Sequence, residues 1–437
     1  MSSPYPCPHG KCVPCPGGPP YTPQSYTGKE PAALRAARNK FNPYMQVKER
    51  LRQLEAIGHP TDKIDMIIMG GTFPARDLFY QEWFVKRCYD ALNGKEAESL
   101  EEAKRLNEEA THRCIGLTIE TRPDWCRMWH IDEMLNLGAT RVELGVQILD
   151  DKVLEEMKRG HTTHDTILAT QLAKDAGLKI CYHIMPGLPG SNYENDLLSF
   201  QKIFRDERFR PDMLKIYPTL VVKSSALYKK WKAGDYEPLK EEEAIQLIAE
   251  MKKYVPEWVR IQRIERDIPS YMIEEGIKKS NLRQLIHKKM EEMGIECRCI
   301  RCREIGHKRA AKYDFELKKR EYIASSGREI FLSIENEDVI VAYCRLRIPF
   351  KPHRPEAQNA AIIRELKVHG AMVEIGKRDS TKWQHRGYGK ILMEEAEKIA
   401  MKYKKEKLLV LSGIGAKPYY RKLGYVENGM YMAIQIE

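Results

Sequence analysis

Short apolar runs alternate with amphipathic stretches from about residue 60 to about residue 275. The apolar runs are rich in isoleucine, leucine and valine, as in KIDMIIMGG, RCIGLTIETRPD, TRVELGVQIL and KICYHIMPGLPG. Helical patterns such as FYQEWFVKRCYDALNG and DTILATQLAKDAG lie between them. Strand–helix–strand repetition requires parallel pairing. This region therefore predicts a βα barrel or an open, doubly wound sheet.

Glycines and polar side chains stand where five of these predicted strands end. Ligands gather at the carboxyl ends of parallel strands. Turn chemistry alone would explain each position, but five successive strand ends favour one ring of ligand contacts. Lys215 and Tyr217 are candidate catalytic groups on this ring, or simply caps of the barrel. The positions are Gly70-Gly71-Thr72, Glu120-Thr121-Arg122, Glu143 with Gln147, Pro186-Gly187, and Lys215 with Tyr217.

Three cysteines, Cys7, Cys12 and Cys15, precede this region with the spacing C-x4-C-x2-C. A structural zinc site closes its shell with four ligands, whereas a 4Fe–4S cluster on three thiolates leaves one iron open. An open iron can bind S-adenosylmethionine and cleave it to an adenosyl radical. Gly70 and Gly71 would let the backbone approach the methionine amino group. A zinc knuckle and a structural iron–sulfur cluster are the alternatives, and the combination of motifs favours radical chemistry.

Three further cysteines, Cys297, Cys299 and Cys302, are followed by His307 in ECRCIRCREIGHK. The spacing C-x-C-x2-C-x4-H places four donors within eleven residues, which suits tetrahedral zinc. Alternatively, the three cysteines are unrelated thiols that bind no metal. Clustered cysteines in a chain without a secretory signal favour metal binding over disulfides.

The net charge is modest. The 437-residue chain has 73 lysine and arginine residues against 62 aspartate and glutamate residues, which gives +11. This excess is compatible with a nucleic-acid partner and equally with a solvated basic surface. We expect no membrane span, because no apolar run reaches about 18 residues. We expect a cytoplasmic location, because the N-terminus lacks the apolar segment of a signal peptide.

The C-terminal block predicts a second domain. EIFLSIEN, VIVAYCRLRIP and IIRELKVHGAMV are typical of consecutive antiparallel strands. QHRGYG, at residues 384–389, then leads into an amphipathic helix, whose first amides could cradle a pyrophosphate. Alternatively, QHRGYG is only the start of a helix and binds no ligand. The layout favours a GNAT-fold acetyltransferase that binds acetyl-CoA.

The motifs together resemble the catalytic subunit of the Elongator complex, in an archaeal version. The resemblance runs from residue 7 to the C-terminus through CPHGKCVPCPGG, GLTIETRPDWC, MPGLPG, QRIERDIP and RELKVHG. It implies an α/β chain in which a partial (β/α) radical SAM barrel precedes a zinc-binding linker and a GNAT-fold α+β domain. The corresponding ranges are 1–275, 276–307 and 308–437.

The resemblance also implies a function. The family uses S-adenosylmethionine and acetyl-CoA to form 5-carboxymethyluridine at the wobble position of tRNA. The adenosyl radical would take hydrogen from the acetyl methyl group, the carbon radical would add to the base, and the thioester would then be hydrolysed. The implied partners are tRNA, acetyl-CoA and S-adenosylmethionine, with no membrane, and a homodimer is compatible with the sequence.

The family pattern assigns roles to several positions. Cys7, Cys12 and Cys15 would hold the cluster, and Tyr420 would stand near the thioester sulfur as a catalytic group. Arg113 would be a further acetyl-CoA contact, although relatives usually have lysine there. The other implied acetyl-CoA contacts are Glu365, Leu366, Lys367 and Val368 along the pantetheine arm, and Tyr388, Gly389 and Lys390 at the phosphates.

One departure from the family concerns the N-terminus. Relatives have a basic, tRNA-binding segment and a first barrel strand before the cysteines, whereas this chain has only MSSPYP. Proline cannot donate to a sheet ladder, so we expect no strand there. We also expect the cysteine loop to be tethered only on its downstream side. Residues 1–20 should then be the least ordered part of the chain or be displaced from the barrel mouth.

Two other classes of function stay open at the level of sequence. One is a protein lysine acetyltransferase whose iron–sulfur site is structural, for which Glu365 is a conceivable base. The other is a non-catalytic tRNA-binding scaffold with two metal sites.

Overall fold

Six parallel strands alternate with helices in the N-terminal part of the chain, as the sequence predicts. The computed structural model describes residues 1–308, 314–370 and 387–436. The first eight strands are β1 (Lys63–Ile68), β2 (Arg113–Thr121), β3 (Arg141–Gln147), β4 (Lys179–Ile184), β5 (Met213–Ile216), β6 (Val221–Val222), β7 (Arg260–Ile264) and β8 (Ile273–Glu275). The main sheet has the order β1-β2-β3-β4-β5-β7, and all its neighbours are parallel. It is the half-barrel of a radical SAM fold, with β6 and β8 as a small antiparallel pair beside it.

The two faces of this sheet differ in chemistry. Val142, Leu144 and Val146 of β3 are fully buried in the core beneath the helices. The alternate residues of β3, Arg141 and Glu143, are buried as well but carry charge. Because side chains alternate along a strand, the concave face of the half-barrel becomes a column of polar groups.

Helices cover the convex face of the sheet, and common capping motifs mark where they begin and end. Helix α7 begins with a capping box between Thr162 and Asp165, and α3 ends at Gly94 in the left-handed region. No helix within the described ranges is long and apolar enough to span a bilayer. The helices are α1 (Pro31–Arg38), α2 (Pro43–Ala56), α3 (Leu78–Asn93), α4 (Leu100–Asn107), α5 (Met128–Asn136), α6 (Asp151–Glu156), α7 (Thr163–Asp175), α8 (Tyr193–Arg205), α9 (Ala226–Ala233), α10 (Glu241–Lys253), α11 (Leu282–Glu292), α12 (Ile300–Arg303), α13 (Tyr388–Lys402) and α14 (Lys417–Arg421).

A second, mixed sheet forms the C-terminal domain. Its strands are β9 (Glu316–Ala324), β10 (Gly327–Asn336), β11 (Val339–Ile348), β12 (Ala360–Val368), β13 (Lys407–Val410), β14 (Val426–Asn428) and β15 (Tyr431–Gln435). The order is β14-β15-β13-β12-β11-β10-β9, and only the β12–β13 pair is parallel. That pairing stops at Ile363, so β12 diverges from β13 over its last five residues. This is the splayed sheet of a GNAT fold.

The cysteine-rich segment joins the two domains. The backbone N–H of Ile300 donates to Val259 O at 2.9 Å, next to β7. The N–H of Ile305 donates to Ile340 O of β11 at 3.0 Å. The segment is therefore hydrogen-bonded to both sheets.

Buried charges also cross the domain interface. Arg347 of β11 pairs with Asp175 of α7 at 2.6 Å, and Lys174 pairs with Glu329 of β10 at 3.2 Å. These four side chains are 0–2 % exposed. Ion pairs of this kind are costly to separate once water is excluded, so they hold the two domains in one orientation.

The first residues of the chain differ in part from expectation. No strand forms before Cys7, as predicted. The expectation that the cysteine loop is tethered only downstream is wrong, because Ser2 N–H donates to Met69 O at 2.8 Å and Ser3 N–H donates to Tyr80 Oη at 3.0 Å. The segment therefore lies against the end of β1 and is not displaced from the barrel mouth. Isolated hydrogen bonds anchor it without a strand.

Candidate functional site

The loop that carries Cys7, Cys12 and Cys15 lies at the carboxyl end of the parallel sheet. Thr72 Oγ1, just after β1, is 3.7 Å from Cys7 Sγ. A Cβ atom added to Gly71 would lie 3.7 Å from the same sulfur. Gly70 and Gly71 have φ values of +139° and +95°, a region that glycine adopts without strain. The two glycines thus bring the backbone of the β1 end directly against the cysteine loop.

Positive charge faces these thiols. Arg159 Nη1 is 3.5 Å from Cys12 Sγ, while its Nη2 donates to Gly145 O at 2.7 Å. Hydrogen bonding with Cys15 and the Arg159 charge lower the pKa of Cys12 to about 6, and the same hydrogen bond raises the pKa of Cys15. A low pKa favours the thiolate, which is the metal-binding form.

The three thiols lie on one loop at the carboxyl end of the half-barrel. Among the described residues, they are not gathered with all three sulfurs within 4.8 Å of one another, whereas Cys297, Cys299 and Cys302 are. Three thiolates leave one iron of a 4Fe–4S cluster open to a ligand. With an adjacent guanidinium and the close approach of Gly71, these residues fit a 4Fe–4S cluster that holds S-adenosylmethionine.

The concave face of the half-barrel carries a compact group of charged side chains. Lys215 Nζ pairs with the buried carboxylate of Glu143, and His183 Nε2 lies 2.7 Å from Glu143 Oε2. Tyr217 presents its ring edge-on to His183, with 5.4 Å between centroids. Burial disfavours the Lys215 charge, but the Glu143 carboxylate outweighs burial and raises the pKa of Lys215. Lys215 and Tyr217 therefore share this face.

Glu120 lies on the same concave face. Its Oε2 accepts a hydrogen bond from Tyr26 Oη at 3.3 Å. Burial raises the pKa of Glu120, although Lys215 and His183 oppose the shift. Sequence inspection of strand ends found Glu120 and Glu143 but missed His183, which lies inside β4. The alternation of side chains along KICYHI was the available signal.

A cavity of about 970 Å³ lies between the two domains. Its floor is made by the amino ends of β1 to β5 and β7, which is the end of the sheet opposite to the cysteine loop. Its other wall is the splayed part of β12 and the start of α13. The cavity gathers the positions that the family pattern assigns to acetyl-CoA, which are Glu365, Leu366, Lys367, Val368, Tyr388, Gly389, Lys390 and Tyr420.

The backbone around the cavity is suited to an extended, phosphate-bearing ligand. The splay of β12 after Ile363 leaves one strand edge open there. Gly387, with φ +86°, immediately precedes α13, whose first amides face outward from the helix N-terminus. A Cβ on Gly389 would lie 2.8 Å from Tyr419 Oη. Gln384, His385 and Arg386, the first part of the predicted hexad, lie outside the described residues.

Of the residues predicted to contact acetyl-CoA, Tyr420 lines the cavity and Arg113 does not. Tyr420 is buried, with 6 % of its surface exposed, and burial raises its pKa, so the hydroxyl keeps its proton at neutral pH. Arg113 is not among the residues that line the cavity. Its Nε donates to Ala110 O at 3.2 Å, and its backbone packs against Gly415. Arg113 therefore contacts the interface beside the cavity.

The second cysteine group is compact. The sulfurs of Cys297, Cys299 and Cys302 lie within 4.8 Å of one another, close enough for one metal ion. The structure does not bring His307 to them, because His307 Nε2 lies 3.0 Å from Glu304 Oε1 instead. His287 of α11 is nearer, with Nε2 4.0 Å from Cys302 Sγ. Spacing alone missed His287 because it lies before the cysteines on another element.

Comparisons with known families agree with this two-part arrangement. Residues 4–200 match the Radical SAM superfamily, residues 211–292 match the Radical_SAM C-terminal domain, and residues 299–425 match the Acetyltransferase (GNAT) family. The fold and sites thus define a protein that joins a radical SAM domain, with its 4Fe–4S cluster and S-adenosylmethionine, to an acetyl-CoA-binding GNAT domain.

Relatives that match this chain over its whole length identify a narrower family of proteins. The tRNA uridine(34) acetyltransferase of Methanocaldococcus jannaschii is 54 % identical over 453 residues, covering 100 % of this chain and 84 % of the relative. Elongator complex protein 3 of Drosophila melanogaster is 43 % identical, covering 100 % of this chain and 82 % of the relative. The solved structure of Methanocaldococcus infernus Elp3 with an N-terminal deletion is 52 % identical, with a TM-score of 0.87 over 92 % of this chain and 96 % of that one.

The chain belongs to this family of tRNA uridine(34) acetyltransferases and Elongator complex protein 3. The membership confirms the sequence resemblance and the predicted class of fold. It does not support the lysine acetyltransferase alternative, because the relatives named for an activity act on tRNA.

Proposed function

We propose that this protein forms 5-carboxymethyluridine at the wobble position of tRNA, with acetyl-CoA as the carbon donor. One observation carries the proposal. A cysteine loop suited to radical chemistry and a cavity suited to acetyl-CoA lie at opposite ends of one half-barrel. The buried ion pairs between the domains hold this arrangement fixed.

At the carboxyl end of the sheet, Cys7, Cys12 and Cys15 would hold the cluster. When bound, the cluster and S-adenosylmethionine supply an adenosyl radical that can take hydrogen from an unactivated methyl group. Gly71, whose only close neighbour among the described residues is Cys7 Sγ, would let the methionine part of the ligand approach the backbone, whereas the space beside Gly70 is taken by Ser2. Arg159 places a positive charge beside the thiolates and stabilises them electrostatically.

At the amino end of the sheet, the chain's own residues would bind and orient acetyl-CoA. The open edge of β12 from Glu365 to Val368 would pair with the amide groups of the pantetheine arm. The N-terminus of α13, at Tyr388, Gly389 and Lys390, would face the phosphates. Tyr420, which stays protonated, would donate a proton to the departing thiolate.

Between these ends, the concave face would hold the base and the acetyl group during the radical step. Lys215 stays protonated beside Glu143 and would hydrogen-bond a carbonyl oxygen of the uracil ring or the thioester. Tyr217 and His183 would pack against the reacting groups and exclude water. Arg113, which lies outside the cavity lining, would act on the orientation of the neighbouring GNAT loop.

The proposal also covers the zinc site, the domain boundaries, the cellular location and the oligomeric state. One zinc ion would be held by Cys297, Cys299 and Cys302, with His287 as the nearest imidazole. The predicted ligand His307 would need to leave Glu304 to reach it. The domain boundaries at residues 275 and 307 stay a prediction. The protein would work in the cytoplasm without membrane attachment, and sedimentation measurements would test the homodimer.

Nucleoside mass spectrometry tests the proposal. The protein is reconstituted with iron and sulfide without oxygen, then incubated with S-adenosylmethionine, acetyl-CoA and tRNA. We expect 5-carboxymethyluridine at position 34, and deuterium transfer from methyl-labelled acetyl-CoA into 5′-deoxyadenosine. A Cys12→Ala variant should form neither. Acetylated lysine in a protein substrate, formed without S-adenosylmethionine, would contradict the proposal.

A further inference from the structure

Forming a carboxymethyl group from acetyl-CoA requires a water molecule to cleave the thioester. Water is a weak nucleophile at neutral pH, so an enzyme supplies a base that takes its proton as it attacks. The cluster and S-adenosylmethionine cannot do this. Under the proposed function, a side chain of the acetyl-CoA cavity must therefore activate the water.

His369 lies where β12 ends and lines the acetyl-CoA cavity. It is 6 % exposed. Its Nδ1 lies 2.9 Å from Glu304 Oε2. Its Nε2 is buried and has no hydrogen-bond partner among the described residues. What sets this nitrogen apart from other buried imidazole nitrogens without a partner, such as His353 Nδ1, is that its residue lines the ligand cavity, so Nε2 is available to a ligand or its water.

Glu304 is fixed in place by residues from several elements. Arg260 of β7 donates to it through Nη1 at 2.6 Å and Nη2 at 3.1 Å. The carboxylate accepts the Nδ1–H of His369, so the proton of the neutral ring stays on Nδ1 and the lone pair stays on Nε2. Glu304 is therefore a positioning residue for the imidazole.

The surroundings also keep the imidazole neutral. Burial lowers the pKa of His369, and the charges of Lys367 and Arg260 act in the same direction, although Glu304 opposes them. The ring also lies 5.5 Å from the Tyr343 ring, which limits its rotation. A neutral, oriented imidazole is the form that accepts a proton from water.

The other candidate bases in the cavity are less suitable. Arg345 Nε donates to Glu365 Oε2 at 2.8 Å, and despite burial the Arg345 charge lowers the pKa of Glu365 to about 2. The sequence-based candidate base is thus engaged and weakly basic. His307 also lines the cavity, but its Nε2 is 3.0 Å from Glu304 and its side chain is 47 % exposed.

We propose that His369 is the general base for thioester hydrolysis in the acetyl-CoA cavity. His369 Nε2 takes one proton from water while the oxygen forms a bond to the thioester carbonyl carbon. The carbon–sulfur bond then breaks, the electron pair leaves on sulfur, and the protonated imidazole returns its proton, directly or through Tyr420, to give the CoA thiol. The new carboxylic acid releases its own proton to solvent.

The test compares His369→Gln with His353→Gln in the reconstituted full chain. His353 is a matched control because its Nε2 lies 2.9 Å from Asp132 Oδ1 and its Nδ1 is also buried without a partner among the described residues, yet it does not line the cavity. CoA release is followed with a thiol reagent in the presence of tRNA, and acetyl-CoA affinity is measured by calorimetry.

We expect His369→Gln to slow CoA release about 100-fold or more, with acetyl-CoA affinity unchanged within about threefold. His353→Gln should match the wild type. Added imidazole should restore part of the rate to His369→Ala, which a merely structural role would not allow. This second variant keeps the test valid if the glutamine variant folds poorly.

The outcomes separate the two proposals. CoA release by His369→Gln within about threefold of the wild type, or a wild type that releases no CoA, would overturn the role of His369. CoA release that depends on His369 but yields no carboxymethyluridine would instead overturn the proposed function.

Discussion

Arg364 of the GNAT sheet forms two hydrogen bonds to Asp212 of the radical SAM domain, at 2.7 Å and 2.6 Å, and both side chains are fully buried. Arg364 also pairs with Glu329 at 2.8 Å. One guanidinium therefore balances part of the negative charge of two carboxylates at the interface. The relative position of the two domains depends on this contact.

Removing this guanidinium should destabilise the protein strongly. We expect Arg364→Met to lower the free energy of unfolding by about 3 kcal/mol, because two buried carboxylates each lose one partner and share Lys174 as a remaining one. Urea denaturation, followed by circular dichroism, measures the change. Arg208→Met is the control, since Arg208 is 58 % exposed beside Asp206, and its midpoint should not move. Equal midpoints for both variants would show that the interface pair contributes little.

Metal analysis should distinguish the two cysteine groups. A variant with Cys7, Cys12 and Cys15 changed to alanine should keep about one zinc ion per chain, because the other three thiols converge independently. Cys299→Ser should lose it. In a chelator challenge, His287→Ala should release zinc faster than the wild type, whereas His307→Ala should not. Faster release only from His307→Ala would restore the sequence-based assignment.

Gly389→Ala should weaken acetyl-CoA binding. The new methyl group would lie 2.8 Å from Tyr419 Oη, so the Tyr419 side chain would have to shift. Because Tyr419 lines the cavity, we expect a loss of about tenfold in affinity by calorimetry. The double variant Gly389→Ala, Tyr419→Phe should recover most of it, since the hydroxyl is gone. No recovery would mean that the helix N-terminus itself has been disturbed.

Lys215→Met should abolish carboxymethyluridine formation while acetyl-CoA binding persists, because Lys215 is not part of the cavity lining. It should also lower the free energy of unfolding by about 3 kcal/mol, because the buried Glu143 carboxylate then keeps only His183 at 2.7 Å and Arg141 at 3.6 Å as partners. The double variant Glu143→Gln, Lys215→Met removes both charges and should regain stability without regaining activity. A double variant that also regains activity would limit Lys215 to a structural role.

Tyr420→Phe should slow CoA release more than it weakens acetyl-CoA binding, because only a proton donor is lost. The phenol is protonated throughout the neutral range, since burial raises its pKa. We therefore expect the rate of the variant to fall at every pH between 6 and 9 when measured by thiol release. A rate loss confined to high pH would indicate a different proton donor.

Local patterns in the sequence predict most of the fold. Apolar runs such as KIDMIIMGG alternate with amphipathic helices. This alternation predicts a parallel sheet, because each strand of such a sheet buries both of its faces. Two glycines after β1 predict a close backbone approach to the methionine amino group of S-adenosylmethionine, and the structure places Gly71 beside Cys7 Sγ. The strands and the Gly387 turn of the C-terminal domain carry equally local signals.

Features that depend on distant residues could not be read from the sequence. Glu304 and His369 are 65 residues apart in the sequence, and the packing of the linker against the GNAT sheet brings them together. His287 reaches Cys302 from a helix that precedes the cysteines. The misjudged N-terminal segment has a related cause, since proline excludes a ladder but not single hydrogen bonds such as that of Ser2.

The cysteine loop and the acetyl-CoA cavity lie at opposite ends of the same strands. A seven-residue strand such as β3 is about 20 Å long, so the acetyl methyl group meets the radical only if the thioester reaches along the concave face for that step and lies in the cavity when it is hydrolysed. The length of the pantetheine arm then sets which thioesters are substrates. Acetyl thioesters of short thiols would be too short to span the strand, even where their acetyl groups are chemically identical.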